Sequence, residues 1–216
     1  MHIDRKGIYQ DFDASGNILT DERWQAKTLP DGSLYVENET VRVAPFDEPR
    51  SDSVTMIFDR DLRLVEFTIH GLFGQRESRI CVLGENRAEA TLCWRNRGDV
   101  HERRIAWRDD FEIDFASPLF NMATVWRSKL QAGQSRSFDA WLLDPVSFEP
   151  SLIRQTYTNT GRQTCITRFG PRELWRYELD FGGQSRSTFY CDDDGVLFEF
   201  ESPSGGFRLT AADLEP

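Results

Sequence analysis

Histidine is scarce in this chain: His2, His70 and His101 are the only ones among 216 residues. There is no paired-histidine metal motif of the H-E-x-x-H kind and no glycine-rich phosphate loop. Cys81, Cys93, Cys165 and Cys191 are widely spaced, with no C-x-x-C. That spacing argues against zinc and for small hydrophobes in a reducing compartment. No apolar run approaches the length needed to cross a bilayer, so stable membrane insertion is not expected. The segment Met1–Gly7 has no apolar core and no cleavage pattern, so the expected location is the cytoplasm. Positive charge is also in short supply: 26 Lys and Arg stand against 36 Asp and Glu, a net charge of −10. Nucleic acids and anionic membrane surfaces both require clustered cations, so neither is an expected partner.

Aromatics are abundant, with 16 Phe and 6 Trp, and alternation with a period of two runs through most of the chain. Trp175, Tyr177, Leu179 and Phe181 share one face of a strand, while Arg176, Glu178 and Asp180 share the other. Val65, Phe67 and Ile69 line up similarly, as do Val196, Phe198 and Phe200. Further strands are expected at 17–28, 33–43, 53–58, 77–83, 88–96, 100–107, 111–115, 135–143, 152–158, 163–169, 185–191 and 206–211. Turn chemistry at Pro30-Asp31-Gly32, Asn96-Arg97-Gly98-Asp99, Gly182-Gly183 and Asp192-Asp193-Asp194-Gly195 separates them. The proline-bearing stretch 45–52 reads as a mobile loop. No break is strong enough for a linker, so one domain over 1–216 is expected.

One stretch reads as helix, Ser117 to Leu130. Ser117 suits the N-cap, Pro118 the first helical position and Lys129 the last turn before Gly133. Leu119, Met122, Trp126 and Leu130 fall on one face. A lone helix with such a face needs a concave sheet to bury it. The expected fold is therefore mainly β: a strongly curved antiparallel sheet, half-barrel or open barrel, around one helix near 117–130.

Chemistry is harder to find. Gly133-Gln134-Ser135-Arg136-Ser137 recurs as Gly183-Gln184-Ser185-Arg186-Ser187, but a serine stands where a nucleophile elbow needs its second glycine. The aspartates of 192–194 crowd one turn, whereas calcium loops alternate their ligands. No catalytic residue and no metal ligand is assigned. The tryptophans either pack the core or line an apolar cavity. Arg127 either meets an anionic headgroup at a cavity mouth or sits exposed.

The order of features from about residue 90 to 201 resembles a bacterial family named for glycolipid binding, whose fold is related to the half-barrel of periplasmic lipoprotein carriers. The resemblance rests on Glu112-Ile113-Asp114-Phe115, Ser117-Pro118, Asn121 and Trp126-Arg127-Ser128-Lys129-Leu130. Gly133, Trp141, Pro145, Gln155-Thr156-Tyr157 and Asp192-Asp193-Asp194-Gly195 follow in matching order. Ser117 stands in place of a Thr, and one Arg of a pair and a mid-helix Pro are absent. The resemblance implies a curled sheet around helical material and a glycolipid-like ligand. The expected function is thus non-catalytic binding of a hydrophobic or amphipathic molecule, without a cofactor. The ligand-facing candidates are Asn121, Trp126, Arg127, Trp141, Trp175, Tyr177, Phe181 and Phe198. Two alternatives stay open: a barrel-cavity enzyme (hydratase, isomerase or cyclase) using inward-facing Glu66 and His101, and an interaction module using a sheet edge or face.

Overall fold

The computed structural model describes residues 2–13, 15–43, 50–71, 76–96, 98–183, 185–202 and 207–215. Most of the stretch 45–52, Arg97 in the 96–99 turn and Gln184 of the second pentapeptide lie outside these residues. The first half of the chain forms β1 (Asp4–Phe12), β2 (Ile18–Thr28), β3 (Leu34–Arg42), β4 (Arg50–Phe58), β5 (Leu64–Gly71), β6 (Arg76–Leu83), β7 (Glu89–Asn96) and β8 (Asp99–Ala106). After the short β9 (Glu112–Asp114) and the helix α1 (Pro118–Ser128) come β10 (Ser135–Leu143), β11 (Pro150–Thr167), β12 (Gly170–Asp180), β13 (Arg186–Cys191), β14 (Leu197–Ser202) and β15 (Phe207–Glu215).

All fifteen strands belong to one sheet, ordered β8-β7-β6-β5-β4-β3-β2-β1-β15-β14-β13-β12-β11-β10-β9. Neighbours are antiparallel except β9 and β10, which run parallel. The first and last strands pair in the middle, Lys6 opposite Glu215 and Gln10 opposite Thr210. The two edges, β8 and β9, are joined only by residues 107–111. Laid flat, fifteen strands would hold those edges about 67 Å apart at ~4.8 Å per strand. The connection can span at most about 21 Å. The sheet must therefore roll until its edges nearly meet. Side chains bridge the seam: the Arg103 guanidinium of β8 lies 5.6 Å from the Trp141 ring of β10, and Arg108 in the link pairs with Asp139 at 2.5 Å.

α1 occupies the hollow of the roll. The Ser117 hydroxyl accepts from the Leu119 N–H at 3.1 Å, Pro118 takes the first turn, and Lys129 closes the helix in left-handed conformation (φ 48°). The sequence suggests one apolar face, yet every residue from Pro118 to Trp126 is buried. A helix buried on all sides must satisfy its polar groups within the protein. Accordingly Asn121 accepts from the Tyr157 hydroxyl at 3.1 Å, and Thr124 donates to Glu112 at 3.1 Å. Phe120 packs on Phe67 and Phe115, and the Met122 sulfur accepts from the Tyr9 hydroxyl and the Leu197 N–H.

Several expectations shift. β1 is a strand not foreseen: a register shift between Ile8 and Tyr9 disrupts its alternation. The segments 152–158 and 163–169 form one long strand, with a register shift between Asn159 and Gly161. A bulge opposite Phe58 skips Val65, so Leu64 joins Phe67 and Ile69 in the core while Val65 is only half-buried. A second bulge skips Phe198, because Tyr190 pairs with Glu199 and Cys191 with Leu197. Of the cysteines, only Cys191 is fully buried; the other three are half-buried, and all four are free thiols. No helix among the described residues is long and apolar enough to cross a membrane.

Candidate functional site

The N-terminal end of α1 is fixed by polar groups on the inner wall of the roll. Glu22 on β2 and Asn38 on β3 are buried, and both meet the N-cap: Ser117 donates to Glu22 at 2.5 Å and accepts from Asn38 at 3.1 Å. Arg42, on the same wall, donates to the Ala116 carbonyl and stands 3.9 Å from Glu22 and 4.0 Å from Asp52. Arg76 continues the line, 3.7 Å from Asp52 and 2.8 Å from the Val146 carbonyl. Burial pushes the Glu22 and Asp52 carboxyls up, and the arginines pull the other way. The result is a neutralised chain of charges that ties segments 115–117 and 145–148 to the sheet.

Residues 114–118 and 142–145, which overlap these segments, form one side of a cavity of about 360 Å³. Its apolar surface comes from Phe115, Pro118, Leu142, Leu143, Phe181 and Phe200; its polar surface includes Asp114, Asn121, Ser185 and Ser187. Asp114 sits on β9, and Gln155 donates to it from β11. Burial, opposed by that hydrogen bond, raises the Asp114 carboxyl to about 7. The neighbouring acid, Glu112, is held differently: Arg127 pairs with it at 2.7 Å, and burial still raises it.

Three other hollows differ in character. About 230 Å³ lies past the C-terminal end of α1, between Trp126, Trp175, Tyr177 and the turn at Asp192–Gly195. About 270 Å³ lies beside Arg63, Asp109, Glu112, Arg127 and Arg136, and is dominated by charge. A groove of about 480 Å³ over β2–β4 is lined largely by polar side chains such as Arg23, Gln25, Glu37 and Glu39.

The eight ligand-facing candidates are therefore dispersed. Asn121 and Phe181 line the 360 Å³ cavity. Trp126, Trp175 and Tyr177 gather at the other end of the helix. There the Trp126 indole donates to the Asp194 carbonyl at 2.8 Å, Trp175 donates to Asp193 at 2.9 Å, and Tyr177 stacks on Phe189 at 5.1 Å. Arg127 is neither exposed nor at an apolar mouth: Glu112 and the carbonyls of Phe111 and Asp109 occupy its guanidinium. Trp141 is buried against Phe111 at the seam. Phe198, displaced by its bulge, packs on Phe169 at 5.8 Å, outside the main cluster.

The two residues named for an enzymatic reading do not face inward. Glu66 pairs with Arg79 at 2.8 Å on the outer face, and exposed His101 stacks on Trp94. The buried acids among the described residues are instead Glu22, Asp52, Glu112, Asp114 and Glu199, the last paired with Arg208. Ser185 and Ser187 were also missed. In the first pentapeptide, Ser135 and Ser137 point outward and pair with Thr158 and Thr156, each at 2.8 Å. In the second, Ser185 and Ser187 line the cavity. A one-residue change of register reverses the face, so the shared motif carries no shared role.

An open antiparallel sheet rolled around a buried helix, with a small, largely apolar cavity beside that helix that opens to the surface, defines a β-barrel-like protein. The chain belongs to the family described as "Putative glycolipid-binding", which matches residues 32–202. The match reaches further toward the N-terminus than the motifs from 90 to 201 suggest. In fold the chain is similar to the crystal structure of a DUF1089 family protein from Pseudomonas aeruginosa. Identity is 19%, the TM-score is 0.54, and 83% of this chain and 89% of that one are covered. It is also similar to a β-barrel-like DUF1849 protein from Brucella abortus, with 10% identity, a TM-score of 0.62, and 99% and 98% covered. No curated protein matches the chain.

Proposed function

We propose that this protein binds one hydrophobic or amphipathic molecule, glycolipid-like or fatty-acyl, without chemical conversion, in the 360 Å³ cavity at the N-terminal end of α1. The observation that carries this reading is the cavity itself, with phenylalanine and leucine walls and a small set of buried polar groups. Ligand sites generally combine those two features, and the volume falls near the lower end of their range. It suits one end of an amphiphile, not a whole two-chain lipid. Family membership supports the ligand class. Four unpaired thiols fit a reducing compartment.

Organic extraction of purified protein followed by mass spectrometry tests the reading. A lipid-like compound near equimolar amount is expected, and Ser187→Phe, which projects a ring into the cavity, should lose it while keeping the β-rich circular dichroism spectrum. No enriched compound, together with no uptake of an apolar dye, would overturn it.

A further inference from the structure

Two polar side chains of this cavity keep hydrogen-bonding capacity open toward it. Asn121 is 4% exposed; its carbonyl oxygen accepts from Tyr157, while its amide nitrogen has no protein partner among the described residues. Ser187 is 2% exposed, lines the same cavity, and its hydroxyl likewise has no protein partner there. Asp114 accepts from Gln155 beside them. Both Asn121 and Ser187 line the cavity, so a ligand that pairs with them gains affinity.

The charges at the cavity discriminate further. Among the described residues, Asp114 and Asp144 are the only ionisable side chains that line it; no Lys, Arg or His does. The nearby arginines turn to other partners: Arg42 to the Ala116 carbonyl and Glu22, Arg76 to Asp52 and the Val146 carbonyl, Arg50 to the Pro145 carbonyl. A helix N-terminus ordinarily attracts anions through free N–H groups. Here Pro118 has none, the Leu119 N–H is taken by the Ser117 hydroxyl, and the Phe120 N–H points to the Ser117 carbonyl at 3.4 Å. An anion entering this space would find few free donors and two carboxyls.

We propose that the cavity selects an uncharged, hydroxyl-bearing headgroup over an anionic one, with the headgroup hydroxyl seated between Asn121, Ser187 and Asp114. A hydroxyl accepts from the Asn121 amide and from the Ser187 hydroxyl and donates its one proton to an Asp114 oxygen, so it serves all three; a phosphate or sulfate oxygen only accepts. This inference rests on the reading of the cavity as an amphiphile site.

Calorimetric titration at pH 8 with octyl glucoside and octyl phosphate, each below its micelle concentration, tests it. The two share a tail and differ in headgroup charge and hydroxyls. Octyl glucoside is expected to bind at least about tenfold more tightly, the scale of one satisfied buried polar contact. Asn121→Leu and Ser187→Val should each reduce that preference to about threefold or less, with binding of octyl phosphate little changed; Ser187→Ala gives the same readout should the larger side chain disturb folding. Equal affinities, or a preference for the phosphate, would overturn the headgroup inference and leave the amphiphile site standing. Binding of neither compound would remove both. A preference that survives intact in the Asn121 and Ser187 variants would show that other groups read the headgroup.

Discussion

Replacing Asp114 with asparagine should change how stability depends on pH. The native carboxyl, 5% exposed, holds its proton to about pH 7, against 3.8 for an ordinary aspartate. Between those values the folded state binds one more proton than the unfolded chain. Wild-type stability therefore falls as pH rises through this window, by about 1.4 kcal/mol per pH unit from this group. Below pH 3.8 the contribution is fully retained; above 7 about 4 kcal/mol has been lost as an upper bound. Asparagine does not titrate, and its carbonyl can still accept from Gln155. Other buried acids, Glu22, Asp52 and Glu112, are raised in the same direction, so the wild-type profile alone mixes several groups. The difference between wild type and Asp114→Asn isolates this one. Urea unfolding at half-unit steps from pH 5 to 8 should show the variant gaining about 2–3 kcal/mol relative to wild type between pH 5 and 7, then levelling off. Parallel profiles would refute a buried, neutral Asp114.

Two further substitutions probe what fixes α1 in the roll. Arg127→Met leaves Glu112, 3% exposed, without its 2.7 Å partner and should cost about 3–5 kcal/mol in chemical denaturation; adding Glu112→Gln should recover a large part, and no recovery would mean that Arg127 acts through its carbonyl contacts instead. Gly195 has φ +76°, and a Cβ there would lie 2.8 Å from the Trp126 ring, so Gly195→Ala should cost about 2–3 kcal/mol by thermal or urea unfolding; an unchanged midpoint would show that the indole shifts freely.

The sequence carries the fold better than the site, for identifiable reasons. Ser117, Pro118 and the spacing of Leu119, Met122 and Trp126 announce α1, because caps and periodicity are local. Alternation announces β2, β3, β7 and β10 within a residue or two. Bulges are silent in sequence, and each one reverses the faces beyond it. That is why Phe198, though buried, packs on Phe169 outside the main cluster while Leu64 joins it. The cavity depends on the same parity: Ser185 and Ser187 face inward although their twins Ser135 and Ser137 face out. Large aromatics drew the reading toward Trp126, Trp141 and Trp175, yet Trp141 is packed at the seam and the indoles of Trp126 and Trp175 bond to the 192–195 turn. The polar groups that line the cavity are small, Asn121 and Ser187, and only the closure of the sheet brings them from α1 and β13 to one place.

The most direct test of the cavity assignment is a heteronuclear NMR titration of labelled protein with octyl glucoside. Shift changes are predicted to concentrate at the backbone amides of Ser117, Asn121, Ser185, Ser187 and Phe200, around the N-terminal end of α1. Changes centred on Trp175, Tyr177 and the 192–195 turn, or scattered over the outer face of the sheet, would contradict it.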